Sequence, residues 1–295
     1  EPLMDEIAKE VIDPQTNVSV FQRRKDHDVL LAKGNEAKQK IWDEKNLKIG
    51  AMGSGSDYSS FIQHAGIPSL DIGYGGEDNG GEYHSIYDSY DLYKKFKDPT
   101  FEYGVALAET AGHAVLRMAE ADVLPFDFTH LYKTVEGYSK DLMTLLQTSR
   151  ESTELENQLI ITGAYSAGED PTKNYIIPAV KPVVPYLDFS PLQNALVQLK
   201  ESADSLKEVF QNKIKSNSVT AAFNESLYRA EQQLLNETGL PRRPWYKHTL
   251  YAPGFYTGYG VKTMPGIREA IEQRNWNEAQ EQIEIDAKAI MKLAD

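Results

Sequence analysis

Cysteine is absent from all 295 residues, which excludes a disulfide framework and any thiolate metal site. That absence does not by itself assign a compartment. Positive charge is the next shortage: 31 Lys and Arg stand against 44 Asp and Glu, for a formal net charge of -13. Phosphate contacts need clustered Lys and Arg, so this balance argues against a nucleic-acid partner. Long apolar runs are missing too. No stretch of about 18 or more apolar residues occurs, and nothing in this chain spans a membrane. Histidine is scarce at six, and neither an H-x-x-x-H nor an H-E-x-x-H pair is present.

What remains is a hydrophobic content of 41% and a charged content of 25%, enough for a soluble globular protein with a sizeable core. The opening "EPLMDEIAKEVI" sets Leu3, Met4, Ile7 and Val11 on one helical face and reads as a chain that begins within a longer polypeptide. Through about residue 125 strand and helix signals alternate. "QRRKDHDVLLAKGNEAKQKIWDEKN" reads as polar and irregular. "LKIGAMG" (47–53) and "PSLDIGYG" (68–75) read as strands, and "SDYSSFIQHAG" (56–66) as a helix closed by Gly66. Asp98-Pro99 forms an N-cap and first-turn pair for a long apolar helix. This alternation predicts an α/β layer.

A boundary falls at "VLPFDF" (123–128), after which helical composition takes over. One long segment precedes a proline-rich crossover with Pro171, Pro178, Pro182 and Pro185, expected as an extended strap. Three apolar stripes follow: Leu192, Leu196, Leu199, Ala203, Leu206 and Phe210; then Phe223, Leu227, Ala230 and Leu234; then Ala279, Ile283, Ala287 and Ile290. With the first long segment they predict a four-helix bundle. The domains expected are therefore 1–125 and 126–295.

Candidate chemistry centres on "EYHSIYDSYD" (82–91), which follows the glycine-rich "GYGGEDNGG". His84 lies past a loop that would follow a strand, the edge where α/β sheets place their sites, and Glu82, Asp88 or Asp91 are available to orient its imidazole. A lone histidine is more often a hydrogen-bonded structural residue than a ligand, and one histidine does not make a metal site. "GSGSD" (53–57) lacks a P-loop lysine and the G-x-S-x-G spacing, leaving a tight turn or a backbone edge that a substrate approaches closely. "LYAPGFYTGYGVKTMPGI" (250–267) reads as a packed connection or a loop offering tyrosine hydroxyls to a site. Three N-x-S/T sequons, at Asn17, Asn224 and Asn236, are candidate glycan acceptors if the chain is secreted.

Three stretches taken together resemble one family: "GSGSDYSSFIQHAGIPSLDIGY", "YHSIYDSYDLYKKFKDPTFEYGVALAETAGHAVLRMAEADVLPF" and "YAPGFYTGYGVKTMPGIREAI". They are similar to the C-terminal half of the family of glutamate carboxypeptidase II and the transferrin receptor, over essentially the whole chain. The resemblance implies the end of a two-zinc peptidase α/β domain followed by a helical dimerisation domain, in a membrane-anchored ectodomain, extracellular or lumenal, whose anchor lies N-terminal to this chain. It makes His84 a zinc ligand and Tyr83 the tyrosine that bonds the substrate and its tetrahedral intermediate. Ser54, Gly55 and Ser56 would line the pocket on the amino side of the scissile bond, and Tyr259 would hold the substrate's C-terminal carboxylate. The implied reaction is peptide hydrolysis with a glutamate as general base and the metals polarising the carbonyl.

The remaining zinc ligands and the general base belong, in that family, to sequence upstream of this stretch, so the isolated chain is expected to be inactive. Glutamate-selective members carry a lysine where this sequence has Gly258, arginines where it has Asp71 and Gly73, and an asparagine where it has Ser56. Loss of such cations removes selectivity for an acidic side chain, so strict glutamate specificity is not expected. The partners expected are a peptide substrate and a second copy bound through the helical domain. Two alternatives stand beside this reading: a non-catalytic, receptor-like member that binds a protein, and a self-contained helical assembly module.

Overall fold

In the computed structural model the N-terminal apolar stripe folds as expected. Helix α1 (Pro2–Glu10) leads into Val11, with Ile7 and Val11 fully covered and Leu3 and Met4 against them. The structure describes residues 2–76, 80–170, 172–216 and 220–295. Residues 77–79 of the glycine-rich run and Pro171 of the crossover lie outside the described residues. The chain divides into two compact units: Glu1–Gly50, Leu70–Asp127 and Val219–Asn224 form the first, and Ala51–Ser69, Phe128–Ser218 and Glu225–Asp295 the second.

In the first unit, the polar stretch expected to be irregular forms two helices, α2 (Val20–Leu31) and α3 (Asn35–Asp43). Its starting signal is the Ser19 hydroxyl, which accepts from the Gln22 amide at 3.2 Å. The short helix α4 (Tyr90–Leu92) is capped the same way by Ser89 and passes into a π-helical turn, Tyr93–Lys97. Helix α5 (Glu102–Ala119) begins three residues after Pro99, with Phe101 in the left-handed region. Asp98 still acts on the helix start from a distance. Its carboxylate accepts from the Gly104 amide at 2.9 Å and from the Tyr93 hydroxyl at 3.1 Å. Burial works to raise the Asp98 pKa, but the Gly104 and Tyr103 amides outweigh it and the net direction is down. Ala106 and Ala114 of α5 complete the small core with Ile7 and Val11, while Val105, Val115 and Leu116 stay exposed.

The sheet expected here does not form among the described residues. Residues 47–53 and 68–75 run without strand pairing, and the described strands are β1 (Tyr251–Pro253) and β2 (Val261–Thr263), an antiparallel pair in the second unit. A strand exists only through its neighbours' hydrogen bonds, so an apolar run alone does not make one.

The second unit is helical. The long segment is a single helix, α6 (Phe128–Ile161), followed by α7 (Ala164–Gly168). The crossover does lie as an extended strap along α6. Asn157 bonds both the N–H and the C=O of Lys181 at 2.8 Å, and Arg150 reaches the Pro185 carbonyl at 3.1 Å. Val184 and Leu187 point inward and are buried, whereas Val180, Val183 and Tyr186 point outward. The strap thus turns Val184 and Leu187, three residues apart, towards the core. Helix α8 (Ser190–Ser216) packs between α6 and α11 (Trp276–Ala294). Its stripe buries Leu192, Leu196, Leu199 and Ala203, and α11 answers with Ala279, Ile283, Ala287 and Ile290. The second stripe departs from expectation: α9 (Ala221–Arg229) is short and tightens into a 3-10 turn, Ala230–Leu234. The short helix α10 (Pro265–Glu272) packs on α11. Among the described residues of this unit, the long helices α6, α8 and α11 with short ones beside them stand where a four-helix bundle is expected.

Candidate functional site

Gly53, Ser54 and Gly55 form a turn whose shape is set by what it touches. The Ser54 amide donates to the Tyr259 carbonyl at 3.1 Å, and its hydroxyl donates to the Gly258 carbonyl at 3.3 Å across 204 positions of sequence. A Cβ on Gly53 would run into the Tyr259 carbonyl, and one on Gly55 into the Tyr259 ring. Gly55 also has φ +96°, a conformation that side chains disfavour. Gly53 therefore serves a close approach between two backbones, and Gly55 makes room for the Tyr259 ring. The Ser54 N–H is committed to the Tyr259 carbonyl.

From behind, the turn is gripped by Gln63, a fully buried side chain in the π-helical turn Ser59–Ala65. Its amide nitrogen donates to the carbonyls of Gly53 and Met52. Its backbone carbonyl accepts from the amides of Lys247 and His248 at 2.8 and 3.1 Å. Gly66, in the left-handed conformation, closes that turn as its sequence position predicts. Ser56 is exposed and opens the turn with its carbonyl bonded to the Ser59 amide.

Tyr259 sits on the loop between β1 and β2. The Gly254 amide donates to the Gly260 carbonyl at 2.9 Å and closes the loop base, the Thr257 hydroxyl donates to the same carbonyl at 2.7 Å, and Gly258 turns the chain with φ +58°. Tyr259 stays 58% exposed. The long Gly- and Tyr-rich stretch is thus a hairpin that packs on the 53–55 turn and still offers a tyrosine. The structure brings Ser54, Gly55 and Tyr259 together.

Tyr83 and His84 belong to the first unit. Successive turns place them, with the Ser85 amide bonded to the Glu82 carbonyl at 2.8 Å and the Asp88 amide to the Ser85 carbonyl at 3.2 Å. The two rings stack with centroids 3.8 Å apart, and His84 has φ +59°. His84 is exposed rather than packed in a core. Glu82, one of the carboxylates expected to orient it, is instead paired with Lys97, whose hydrogen bond lowers the Glu82 pKa. A catalytic zinc takes roughly three protein ligands. Among the described residues no group of three His, Asp or Glu is placed to hold a metal ion. Among the described residues, His84 therefore has no two further donors grouped with it.

The sequons separate by geometry. Asn224 accepts from the Leu124 amide at 3.1 Å and donates to the Asp122 carbonyl at 2.9 Å. Asn236 donates to the Gly239 carbonyl at 3.1 Å and accepts from the Thr238 hydroxyl. Asn17 is exposed on a tight turn with φ +57°.

Sequence reasoning missed Gln63, the buried Arg243–Glu269 pair beneath the Tyr259 loop, and His248, which is wholly buried and bonded through Nε2 to Glu231 at 2.9 Å. No motif announces any of them. Among the described residues no helix is long and apolar enough to cross a membrane.

Residues 187–295 match the family described as "Transferrin receptor-like dimerisation domain". Among curated proteins, the chain is 31% identical over 241 residues to "Probable glutamate carboxypeptidase LAMP1" of Arabidopsis thaliana, covering 78% of this chain and 29% of that protein. It is 31% identical over 253 residues to "Probable glutamate carboxypeptidase" of Arthroderma benhamiae, covering 84% and 30%. With "Aminopeptidase NAALADL1" of Mus musculus it shares 29% over 261 residues, covering 82% and 30%. The chain thus spans under a third of the length of these relatives. The C-terminal dimerisation match and relatives that align across most of the chain agree: this chain belongs to the family of glutamate carboxypeptidase II and the transferrin receptor.

Proposed function

We propose that this chain is the C-terminal part of a two-zinc peptidase of the carboxypeptidase type, without strict glutamate selectivity. The observation that carries the reading is the lock between the 53–55 turn and the Tyr259 loop. Two segments that the family resemblance assigns to one substrate pocket are built against each other, with an exposed tyrosine beside them. In this reading Tyr259 holds the substrate's terminal carboxylate, and Ser54, Gly55 and Ser56 line the amino side of the scissile bond. Tyr83 bonds the reacting carbonyl, and His84 contributes one imidazole to zinc. When bound, the metals polarise the scissile carbonyl. Relatives named as carboxypeptidases and an aminopeptidase support the reaction class. The parent protein would be a membrane-anchored ectodomain with a second copy as its partner, and the dimerisation-domain match supports that pairing.

The test compares peptide hydrolysis by the full-length protein and by this chain. Hydrolysis is expected from the first and not from the second. Zinc retained stoichiometrically by the isolated chain after dialysis, and lost in His84→Ala, would contradict the claim that its own ligands are too few. Sedimentation is expected to show a dimer at micromolar concentration, and a monomer there would count against the assembly reading.

A further inference from the structure

The pair Arg243–Glu269 lies under the Tyr259 loop with side chains only 12% and 9% exposed. Arg243 Nη1 donates to the Pro253 carbonyl at 2.5 Å, and Nη2 pairs with Glu269 Oε2. Glu269 Oε1 accepts the Phe255 amide at 2.6 Å. The guanidinium also lies 5.2 Å from the Phe255 ring centroid and 5.5 Å from that of Tyr246. The two charges therefore hold the backbone on both sides of Gly254, where the chain leaves β1. Gly254 closes the loop base on Gly260, and Tyr259 in turn carries Ser54 through its carbonyl.

We propose that Arg243 and Glu269 are positioning residues for substrate binding: they fix the 254–260 loop so that the Tyr259 hydroxyl and the Ser54–Gly55 edge are held at one spacing. The inference rests on the proposed role of Tyr259. A buried ion pair is weak evidence for stability, because the desolvation of both charges offsets most of their attraction. What such a pair supplies is orientation. A planar guanidinium and a carboxylate that each also bond the backbone permit one loop geometry. A hydrophobic pair of equal volume would cover the same apolar surface and leave the loop free to shift.

The experiment uses Glu269→Gln, which keeps an acceptor for the Phe255 amide and removes the charge, and Arg243→Lys as a milder second variant. Tyr259→Phe is the control. In the full-length protein, KM for peptides with a free terminal carboxylate is expected to rise about tenfold, the size of one lost charge-assisted contact, with kcat nearly unchanged. In the isolated chain, amide exchange at Ser54, Gly254, Phe255 and Gly260 is expected to quicken while exchange in α8 and α11 does not. If Tyr259→Phe raises KM and neither pair variant does, the positioning role is wrong and the carboxylate role stands. If Tyr259→Phe leaves KM unchanged, the carboxylate role fails, and unchanged loop exchange in the pair variants would then overturn the positioning role as well. A uniform gain in exchange across the whole unit would mark the pair as merely structural and overturn the proposal.

Discussion

Asp286 offers the sharpest test of how this chain is held together. It sits in the middle of α11, on the face that buries Ile283, Ala287 and Ile290, and is 1% exposed. Its Oδ2 is buried with no hydrogen-bond partner among the described residues. Burial disfavours the charged form and raises the Asp286 pKa well above its ordinary value. A carboxyl whose folded pKa is raised contributes its full stability below the unfolded value, near 4, and loses it as pH climbs towards the folded value. Within that window the unfolding free energy should fall by about 1.4 kcal/mol per pH unit from this group alone. Asp286→Asn keeps the shape and removes the proton. Its stability relative to the wild type should therefore climb by the same slope from acid towards neutral pH, starting near or slightly below the wild type because an amide is buried in place of the acid. Other carboxylates with lowered pKa values, Asp13 and Asp98 among them, tilt the raw curves the opposite way. The difference between the two proteins cancels them. Urea unfolding followed by tryptophan fluorescence, with Trp276 at the start of α11 packed against this core, reads the quantity directly. Parallel curves from pH 4 to 8 would refute the reasoning.

Two further perturbations address the other contacts. Gly53→Ala should cost about 1–3 kcal/mol, because its Cβ meets the Tyr259 carbonyl and backbone must shift to admit it; a melting temperature equal to the wild type's would show that the turn and loop are not locked. Asn224→Ala should release the 122–124 backbone from both ends of one amide, at about 0.5–1.5 kcal/mol because the freed groups are partly or fully reached by water, and unaltered amide exchange at Leu124 would contradict it.

The contrast between what could be read and what could not follows from how far each determinant reaches along the chain. Helices α6, α8 and α11 were legible because the repeat that defines a buried face is local: Leu192, Leu196 and Leu199 state it within two turns. The residues 20–43 were missed for the converse reason. α2 has Phe21 as its one buried residue and carries no apolar stripe, so its Ser19 cap was the available signal, while α3 buries none of its residues and has no side-chain cap. The segments 47–53 and 68–75 show the limit for strands, whose identity lies in a partner edge rather than in their own residues. The site divides along the same line. Gly53 and Gly55 were readable as a close-approach motif because a missing side chain is visible in sequence, but what approaches them is Tyr259, some two hundred positions away. Gln63 and the Arg243–Glu269 pair are ordinary polar residues in the sequence. They become determinants only where folding strips water from them and sets the Gln63 amide nitrogen, the Arg243 Nη atoms and the Glu269 carboxylate against fixed backbone partners or each other. The groups that hold a binding edge in place are for that reason the ones a single sequence conceals, and the residues that form the edge itself are the ones it displays.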